Sequence, residues 1–394
     1  MPERVIRPTG RGFLLLDSHP LGCIPSVRDS LPAPALAPRR VALIIGSSSG
    51  YGLATTIAGL ARHGIDGIGI AFERPPGRRT ATAGWYRTIA TSALADGWGR
   101  DFSFLNADAF ADTTKDEVLD LIAKRFGGLD YLVYSVAAPR RTDPRTGETY
   151  QSVVKPIGAE QVTRTLEFSP EGTPSLQEIT VAPATDAEAA NTIKVMGGAD
   201  WARWITALSD RGLLNSGFRT VALSYLGSSL TSAIYREGTI GAAKHDLEQT
   251  AHRLSDDLSS LGGRALTSVN GAAVTQASTA IPGIALYVSL LRAVLGDRMQ
   301  SMTEQSLRLW DQLTGATPLD LDEEGRIRLD RWELDDEVQA AVEARWQSAT
   351  PSTITEVADV DWFRSQFRGL YGFDVPGIDY DQPVDPDLPW PAPR

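Results

Sequence analysis

The stretch Val41-Ala-Leu-Ile-Ile-Gly46-Ser-Ser-Ser-Gly50-Tyr-Gly52 decides the fold class of this chain of 394 residues. Its first five residues are apolar without interruption, which is typical of a strand buried on both faces of a sheet. A glycine-rich turn follows at once, and helical periodicity then extends from Tyr51 to Arg62. The order of buried strand, glycine turn and helix predicts an α/β fold with a ligand site at this turn.

Strand and helix patterns alternate along the chain after this turn. Apolar runs predict buried strands, and amphipathic periodicity predicts the helices between them. The alternation predicts a Rossmann-type, doubly wound α/β fold with a mostly parallel sheet and right-handed crossovers. The further elements expected are strands at Gly67–Phe72, Phe102–Leu105, Leu129–Tyr134, Val221–Ser224 and Ala265–Val269, and helices at Asp112–Phe126, 199–212 and 235–260.

A single Rossmann-type domain is expected over residues 1–394, since no linker separates a second domain and no internal repeat is present. Residues 1–38 are rich in Pro and Arg and predict an irregular N-terminal strap. Residues 140–195, where Thr, Pro and Gly are frequent, predict an insertion of hairpins and loops near the ligand-binding face. Residues 280–394 are expected to be largely helical, with a hairpin around Arg326–Leu329.

The composition excludes several classes of protein. Asp and Glu total 49 against 38 Lys and Arg, and a net charge of −11 argues against nucleic-acid binding, which needs clustered cations. The one cysteine, Cys23, excludes an internal disulfide. The four histidines are scattered, so no metal site is expected, and His245 and His252 are assigned to the surface. The longest apolar stretch, Ile281–Leu291, is far shorter than the ~20 residues of a membrane span, and without a visible signal peptide a cytoplasmic location is expected.

The glycine turn has the spacing G-x3-G-x-G of short-chain dehydrogenases, which predicts dinucleotide binding. Its glycines allow a tight turn and close approach of the backbone to a diphosphate, and the following helix N-terminus offers N–H groups. Glu73, after the second strand, is placed to bind ribose hydroxyls and repel a 2′-phosphate, which predicts a preference for NADH. The neighbouring Arg74 could instead host that phosphate. Asp108, after the third strand, is either an adenine contact or a helix N-cap.

Tyr235 and Lys244 form a Tyr-x8-Lys pair. Reduction of an activated alkene needs a hydride donor, an acid beside the oxygen that becomes negative, and a proton source. A phenol can donate to that oxygen, and a nearby ammonium makes the phenol a better donor and can anchor the nicotinamide ribose. A tyrosine in the core and a lysine on the surface is the alternative interpretation.

Seven short motifs match one family: Gly46-Ser-Ser-Ser-Gly-Tyr-Gly-Leu-Ala, Phe72-Glu-Arg-Pro, Gly84-Trp-Tyr, Lys155-Pro-Ile-Gly, Val195-Met-Gly-Gly, Ile234-Tyr-Arg-Glu-Gly-Thr-Ile-Gly and Val274-Thr-Gln-Ala-Ser. Together they resemble the bacterial trans-2-enoyl-CoA reductases and their close relatives, the V-type enoyl-ACP reductases. The resemblance extends from Arg11-Gly-Phe to Gly372-Phe-Asp-Val-Pro-Gly, which is nearly the whole chain.

The resemblance implies roles for individual residues. Tyr235 falls on the family's proton-donor tyrosine, Lys244 on its supporting lysine, and Tyr225 on a second tyrosine that contacts substrate. Helices cover the acyl site in this family, so residues 280–394 would supply a substrate cover and a C-terminal extension. Within this cover Tyr287, on the segment Ile281–Leu291, is a candidate lining residue, although a core helix is an equally good interpretation of that segment. The cofactor contacts fall on Gly46, Ser47, Ser48, Ser49, Gly50, Tyr51, Phe72, Glu73, Asp108, Ala109, Val136, Ala137, Lys244, Val274, Thr275 and Gln276.

The resemblance implies a monomeric enzyme that uses NADH to reduce the C2=C3 bond of trans-2-enoyl thioesters in fatty acid synthesis. Both CoA and acyl-carrier-protein esters fit, and the chain length is open because Met299-Gln-Ser-Met-Thr-Glu-Gln replaces a His-Glu-Gly-Cys stretch that is common in the family. Four arginines form either a basic patch for a carrier protein or plain solvated surface: Arg78, Arg79, Arg140 and Arg141. The rival functions are carbonyl reduction of the short-chain dehydrogenase type and non-catalytic dinucleotide binding.

Overall fold

The computed structural model describes residues 3–28, 39–169 and 172–392, and of Arg11 and Arg28 only the backbone. The proline-rich part of the predicted strap, 31–38, lies outside the described residues. The strands are β1 Gly10–Arg11, β2 Leu14–Leu15, β3 Arg40–Ile45, β4 Ile65–Ala71, β5 Phe102–Asn106, β6 Leu129–Tyr134, β7 Arg140–Thr142, β8 Thr149–Gln151, β9 Gln161–Phe168, β10 Pro174–Val181, β11 Leu214–Ser224, β12 Arg264–Val269 and β13 Ile327–Arg328. The helices are α1 Pro20–Cys23, α2 Pro25–Arg28, α3 Gly50–His63, α4 Ala83–Gly97, α5 Asp112–Arg125, α6 Asp186–Met196, α7 Ala199–Asp210, α8 Ser229–Ser232, α9 Thr239–Leu258, α10 Ile284–Leu295, α11 Met302–Thr314, α12 Asp336–Ser348, α13 Ile354–Val357 and α14 Val360–Gly369.

The main sheet has seven strands in the order β13-β12-β11-β6-β3-β4-β5. All six neighbouring pairs are parallel, which confirms the predicted doubly wound α/β fold. Because β4 lies on one side of β3 and β6 on the other, the direction of winding reverses at β3. The glycine turn directly follows β3, and it therefore lies at the switch point where such sheets bind ligands.

Strand β3 is buried on both faces, as its apolar run predicts. Leu43 and Ile45 pack into the cluster that also contains apolar residues of α5, α7 and α9. Ala42 and Ile44 pack into the opposite cluster, with residues of α3 and α11. Burial of each Leu or Ile side chain stabilises the fold by roughly 1.5–3 kcal/mol, so alternation across the two layers holds the sheet between its helices.

Strand β11 begins at Leu214, seven residues before the predicted start at Val221. Its first part is partly exposed, and the pairing with β6 shifts register between Leu214 and Arg219. An apolar run marks only the buried half of such a strand, so the sequence pattern underestimated its length.

The predicted insertion contains the antiparallel hairpins β7–β8 and β9–β10. It also contains α6, which begins with a capping box between Thr185 and Glu188. Neither α6 nor α4 was predicted. In α4 the stretch Ala83–Thr88 is buried at every position, so this helix lacks the one-sided apolar stripe that reveals a helix in a sequence.

The hairpin predicted around Arg326–Leu329 is present as a short one. Leu321 and Ile327 form an antiparallel bridge, and the Arg328 N–H donates to the Asp320 carbonyl at 2.9 Å. The sequence did not predict that Ile327 and Arg328 also form β13, which pairs in parallel with β12 at the edge of the main sheet. A pairing between segments 59 positions apart, as between Ser268 and Ile327, leaves no local signal.

A third apolar cluster brings the two ends of the chain together. It contains most of α10 and the apolar faces of α12 and α14, and it includes both Ile6 and Val384. The backbones of Arg4 and Val384 exchange two hydrogen bonds of 3.1 and 3.0 Å. Within the described ranges, no helix combines the length and the apolar character that crossing a bilayer requires.

Candidate active site

The glycine turn is shaped by close backbone contacts. Gly46 has φ +89°, and a Cβ atom there would lie 1.9 Å from the carbonyl oxygen of Ser135, at the end of β6. A Cβ atom on Gly52 would lie 1.9 Å from the carbonyl oxygen of Gly46. Gly50 faces the side chain of Thr275, with the Thr275 Cγ2 atom 3.5 Å from the position of its Cβ. The turn therefore needs glycine, and it brings the predicted segment 274–276 beside the start of α3.

The N-terminus of α3 is open on the ligand side. Ser49 is its N-cap residue, and within the described part of the chain its side chain makes no capping hydrogen bond. The first N–H groups of a helix have no partner inside that helix, and the helix dipole favours negative charge there. This end of α3 can therefore hold a diphosphate.

Glu73 is held in place by several bonds at the end of β4. Its Oε1 accepts from Ser48 Oγ at 2.5 Å, and its Oε2 accepts from Thr82 Oγ1. Asn106 bonds both the Glu73 N–H, at 2.7 Å, and the Glu73 carbonyl, at 2.9 Å. A Cβ atom on Gly84 would lie 2.0 Å from Glu73 Oε1, so Gly84 leaves the room this carboxylate occupies.

Arg74 contacts the N-terminal strap. Its Nη2 donates to the carbonyl of Leu16 at 3.1 Å. The alternative in which Arg74 hosts a 2′-phosphate stays a prediction. Phe72, the predicted cofactor contact beside Glu73, is 75% exposed and offers a free ring surface.

The predicted adenine side differs in detail from the sequence interpretation. Asp108 Oδ1 accepts from the N–H of Phe110 at 2.9 Å, while Ala111 is the N-cap of α5, so the prediction of Asp108 as an N-cap is wrong. The carbonyl of Ala109 accepts from Lys115 Nζ at 2.8 Å. A cofactor contact of Ala109 would therefore use its N–H group or its methyl group. Val136 and Ala137 lie in the segment that follows β6.

Tyr51 is anchored at the far side of the turn. Its hydroxyl donates to the carbonyl of Gly271 at 2.6 Å and lies 3.1 Å from Gln305 Oε1, which also accepts from the Gly271 N–H at 2.7 Å. This bond ties α3 to the segment after β12. Burial raises the pKa of Tyr51, so the hydroxyl stays protonated and the tie persists at neutral pH.

Tyr235 and Tyr225 meet beyond the end of β11. Their rings are edge-on, with centroids 5.1 Å apart. Tyr235 is only 6% exposed, and among the described residues none accepts a hydrogen bond from its hydroxyl. Burial raises the pKa of Tyr235, with a smaller opposing effect of Arg236. The Tyr235 phenol is therefore a neutral donor whose proton is not committed to the protein.

Lys244 reaches the same strand end from α9. Its Nζ donates to the carbonyl of Leu223 at 3.2 Å, two positions before Tyr225. The residue is 7% exposed, so the interpretation of Lys244 as a surface lysine is wrong. Burial lowers the pKa of Lys244 to about 8, against a smaller opposing effect of Glu248. Both residues thus belong to the region at the end of β11, Tyr235 through the ring of Tyr225 and Lys244 through the carbonyl of Leu223.

The sequence analysis missed Glu333, the carboxylate at the centre of this cluster. Glu333 is fully buried, and its Oε1 accepts from Tyr225 at 2.9 Å and from Tyr287 at 2.8 Å. Its Oε2 accepts from the N–H of Ala272. In the sequence Glu333 stands in the run Arg-Trp-Glu-Leu-Asp-Asp-Glu, which has the composition of a solvated surface, so no local signal could have singled it out.

The burial of Tyr287 confirms the core interpretation of its segment, and its role as a lining residue stays a prediction. Tyr287 lies on α10 and is fully buried in the third apolar cluster, as a core residue would be. Its hydroxyl nevertheless reaches Glu333 and thereby joins the polar cluster beside Tyr225.

The exposure of the histidines and arginines tests the remaining predictions about the surface. His245 and His252 lie on the surface, as predicted. Arg141 is buried and donates to the carbonyl of Lys194 at 2.9 Å, whereas the other three arginines of the expected patch are exposed. The proposal of one four-arginine patch is therefore wrong. Among the described residues, no group of three or more His, Cys, Asp or Glu side chains could hold a metal ion.

The fold and the glycine turn are those of a dinucleotide-binding Rossmann-type oxidoreductase. Three family models match the chain in succession. They describe an NAD(P)H binding domain of trans-2-enoyl-CoA reductase over 5–78, a trans-2-enoyl-CoA reductase catalytic region over 79–314, and an enoyl reductase FAD binding domain over 321–384. The chain belongs to the trans-2-enoyl-CoA reductase family, which confirms the resemblance found in the sequence.

Individual relatives agree with this assignment over their full length. The chain is 68% identical to an enoyl-(acyl-carrier-protein) reductase (NADH) of Streptomyces avermitilis, covering 98% of this chain and 100% of the relative. It is 41% identical to a trans-2-enoyl-CoA reductase (NADH) of Clostridium perfringens strain SM101, covering 97% and 99%.

Solved structures of the same family superpose closely. The trans-2-enoyl-CoA reductase of Clostridium acetobutulicum in complex with NADH has a TM-score of 0.91 at 34% identity, covering 97% of this chain and 98% of that one. The enzyme of Treponema denticola in complex with NAD has a TM-score of 0.88 at 38% identity, with the same coverage.

The N-termini of α12 and α14, in the segment matched by the FAD-binding description, do not fit the diphosphate of a flavin dinucleotide. The side chains of Asp335 and Asp359 cap these two helices, and the first turn carries two further acidic residues in α12 and one in α14. These carboxylates occupy the N–H groups and repel the negative charge of a diphosphate. Val342 and Phe363, on the same helices, are buried in the third apolar cluster, so the segment serves as core and as the source of Glu333.

Proposed function

We propose that this protein uses NADH to reduce the C2=C3 bond of trans-2-enoyl thioesters of CoA or acyl-carrier protein in fatty acid synthesis. The observation that carries the proposal is the buried phenol of Tyr235, whose proton has no acceptor among the described residues and whose ring contacts Tyr225 just after β11. Lys244 donates to the carbonyl of Leu223 at the end of the same strand. The names of the relatives, which include both carriers, support the substrate class.

The cofactor site we propose follows the carboxyl edge of the sheet. The open N-terminus of α3 would bind the diphosphate, and Glu73 would bind the ribose hydroxyls. Lys244 would lie at the nicotinamide ribose. The full set of proposed cofactor residues is Gly46, Ser47, Ser48, Ser49, Gly50, Tyr51, Phe72, Glu73, Asp108, Ala109, Val136, Ala137, Lys244, Val274, Thr275 and Gln276.

The reaction places its charge beside Tyr235. When bound, NADH supplies the hydride that C3 of the substrate receives. The electron pair of the double bond then moves toward the thioester carbonyl, whose oxygen becomes negative, and Tyr235 donates a hydrogen bond to that oxygen. The Lys244 ammonium stabilises the same charge, and protonation at C2 completes the saturated thioester. Tyr225 and Tyr287 would contact the substrate.

We also propose that the chain acts as one domain and as a monomer in the cytoplasm. The proposal of a single domain is supported by β13, which joins the C-terminal extension to the main sheet, and by an apolar cluster that spans Ile6 to Val384. Light scattering of the purified protein tests the monomer, and a mass of twice the chain would contradict it.

The test of the proposed function is NADH oxidation with crotonyl-CoA, dodecenoyl-CoA and the matching carrier-protein esters, with acetoacetyl-CoA as the carbonyl control. We expect turnover of the enoyl esters and none of the keto ester. Turnover of acetoacetyl-CoA alone would make the protein a carbonyl reductase. Absence of NADH oxidation with every enoyl ester would leave only dinucleotide binding.

A further inference from the structure

Glu333 joins parts of the molecule that are distant in the chain. It comes from the C-terminal segment after β13, Tyr225 follows β11, and Tyr287 lies on α10. Both phenols donate to the same carboxylate oxygen, at 2.9 and 2.8 Å, while the backbone of Ala272 donates to the other. Three donors from three segments thus converge on one buried acid.

The number of protons restricts what these phenols can do. A phenol has a single proton to donate, and an ionised carboxylate can only accept. While Glu333 is ionised, Tyr225 and Tyr287 both direct their protons at it and keep none for a ligand. Tyr287 in turn accepts from Gln339 Nε2 at 3.1 Å, which fixes its orientation. Tyr225 can donate to a thioester carbonyl only when Glu333 releases its proton.

We propose that Glu333 is a positioning residue that controls the direction of the Tyr225 proton during enoyl reduction. Ionised Glu333 binds that proton, and protonated Glu333 instead donates to a phenol and frees Tyr225 to assist Tyr235 at the developing oxyanion. The contact of the Tyr225 and Tyr235 rings places this control at the reacting end of the site. The inference rests on the proposed function, since it concerns the same oxyanion.

The environment of Glu333 places its titration near neutral pH. Burial raises the pKa of Glu333 to about 7, the bonds from Tyr287, Ala272 and Tyr225 oppose this rise, and Asp330 adds to it. The titratable groups that face it in the described structure are those two tyrosines, Asp330 and the Tyr51 of α3.

The sign of the pH effect follows from this assignment. Below pH 7 Glu333 is protonated and Tyr225 is free, and above it the carboxylate holds the proton and also repels the oxyanion. The turnover number is therefore expected to fall as pH rises through about 7. A second fall near pH 8 belongs to Lys244 and is independent of Glu333.

The test is the pH profile of kcat with crotonyl-CoA for wild type and Glu333→Gln. We expect the break near 7 to disappear in the variant, the break of Lys244 to remain, and KM for NADH to be unchanged. The kcat at low pH should be unchanged, because a glutamine amide, like the protonated acid, can donate to one phenol and accept from the other. Glu337→Gln, an exposed site four positions on, is the matched control and should leave the profile unchanged.

A second variant keeps the test decisive if Glu333→Gln does not fold. Tyr287→Phe removes one donor that lowers the pKa of Glu333, so its neutral break should move to higher pH while Tyr225 and Tyr235 remain. A neutral break that persists in Glu333→Gln, or stays in place in Tyr287→Phe, overturns the role of Glu333. A wild-type protein that reduces no enoyl ester would instead refute the proposed function, so the two failures are distinct.

Discussion

The glycine turn and the cluster of Tyr225, Tyr287 and Glu333 lie at the same edge of the sheet, yet they are built in opposite ways. The turn Gly46–Gly52 consists of consecutive residues, and it acts through backbone N–H groups and through the absence of side chains. The cluster draws on three segments, and its bond from Tyr225 to Glu333 spans 108 positions. A site made of backbone is visible in a short motif, whereas a site made of side chains depends on how distant segments pack.

Tyr235→Phe tests the side-chain half of the comparison and should have the largest effect. Loss of one oxyanion donor reduces kcat by about 10²–10³. The ring and its packing remain, so NADH binding, measured by fluorescence titration, should survive. Full activity in the variant would remove Tyr235 from the mechanism and leave the glycine turn as the part of the site that the reaction needs.

Gly46→Ala tests the backbone half. The added Cβ would meet the Ser135 carbonyl at 1.9 Å in a left-handed conformation. We expect the free energy of unfolding to fall by about 1–3 kcal/mol. The binding free energy of NADH should fall by more than this. Gly97→Ala, where a Cβ meets nothing within 4 Å, is the control and should unfold like the wild type. Equal effects of the two variants would show that the turn is not shaped by its glycine.

Glu73→Gln extends the comparison to a side chain that bonds the glycine turn through Ser48. The variant keeps the shape of Glu73 but removes the charge that repels a 2′-phosphate. The ratio of kcat/KM for NADH over NADPH should fall by about tenfold. A hydrogen bond to a charged group contributes about 1.5–3 kcal/mol, and the neutral amide keeps part of that bond. Arg74→Ala should change this ratio little, because Arg74 bonds the Leu16 carbonyl. A larger effect of Arg74→Ala would reverse the assignment of the two residues.

Lys244 supplies the smallest effect, a partial loss of rate at alkaline pH. Because burial lowers its pKa to about 8, the ammonium is present below that pH and is lost above it. The rate with crotonyl-CoA should fall as pH rises through this value. In Lys244→Arg the guanidinium stays charged, so the fall near pH 8 should be absent in the same assay, while the fall near 7 that belongs to Glu333 should remain. An unchanged pH profile in this variant would assign the fall to another group.

The sequence was most informative where structure is local. The apolar run and glycines of Val41–Gly52 predicted a buried strand, its turn and α3, and the family motifs predicted which residues the site would contain. It failed where structure is non-local. Strand β13 pairs with a distant segment, α4 is buried on too many sides to show a stripe, and Asp108 closes a turn instead of capping a helix.

The sequence by itself determined the class of the fold, the glycine turn and the family, because each depends on residues that are neighbours in the chain or on short motifs. Only the tertiary structure decided that Lys244 is buried, that Arg74 bonds the strap, and that Glu333 accepts hydrogen bonds from two tyrosines. The physical reason is that burial and proton direction are properties of a folded environment. A carboxylate in a polar run acquires its role only when packing removes it from water and surrounds it with donors.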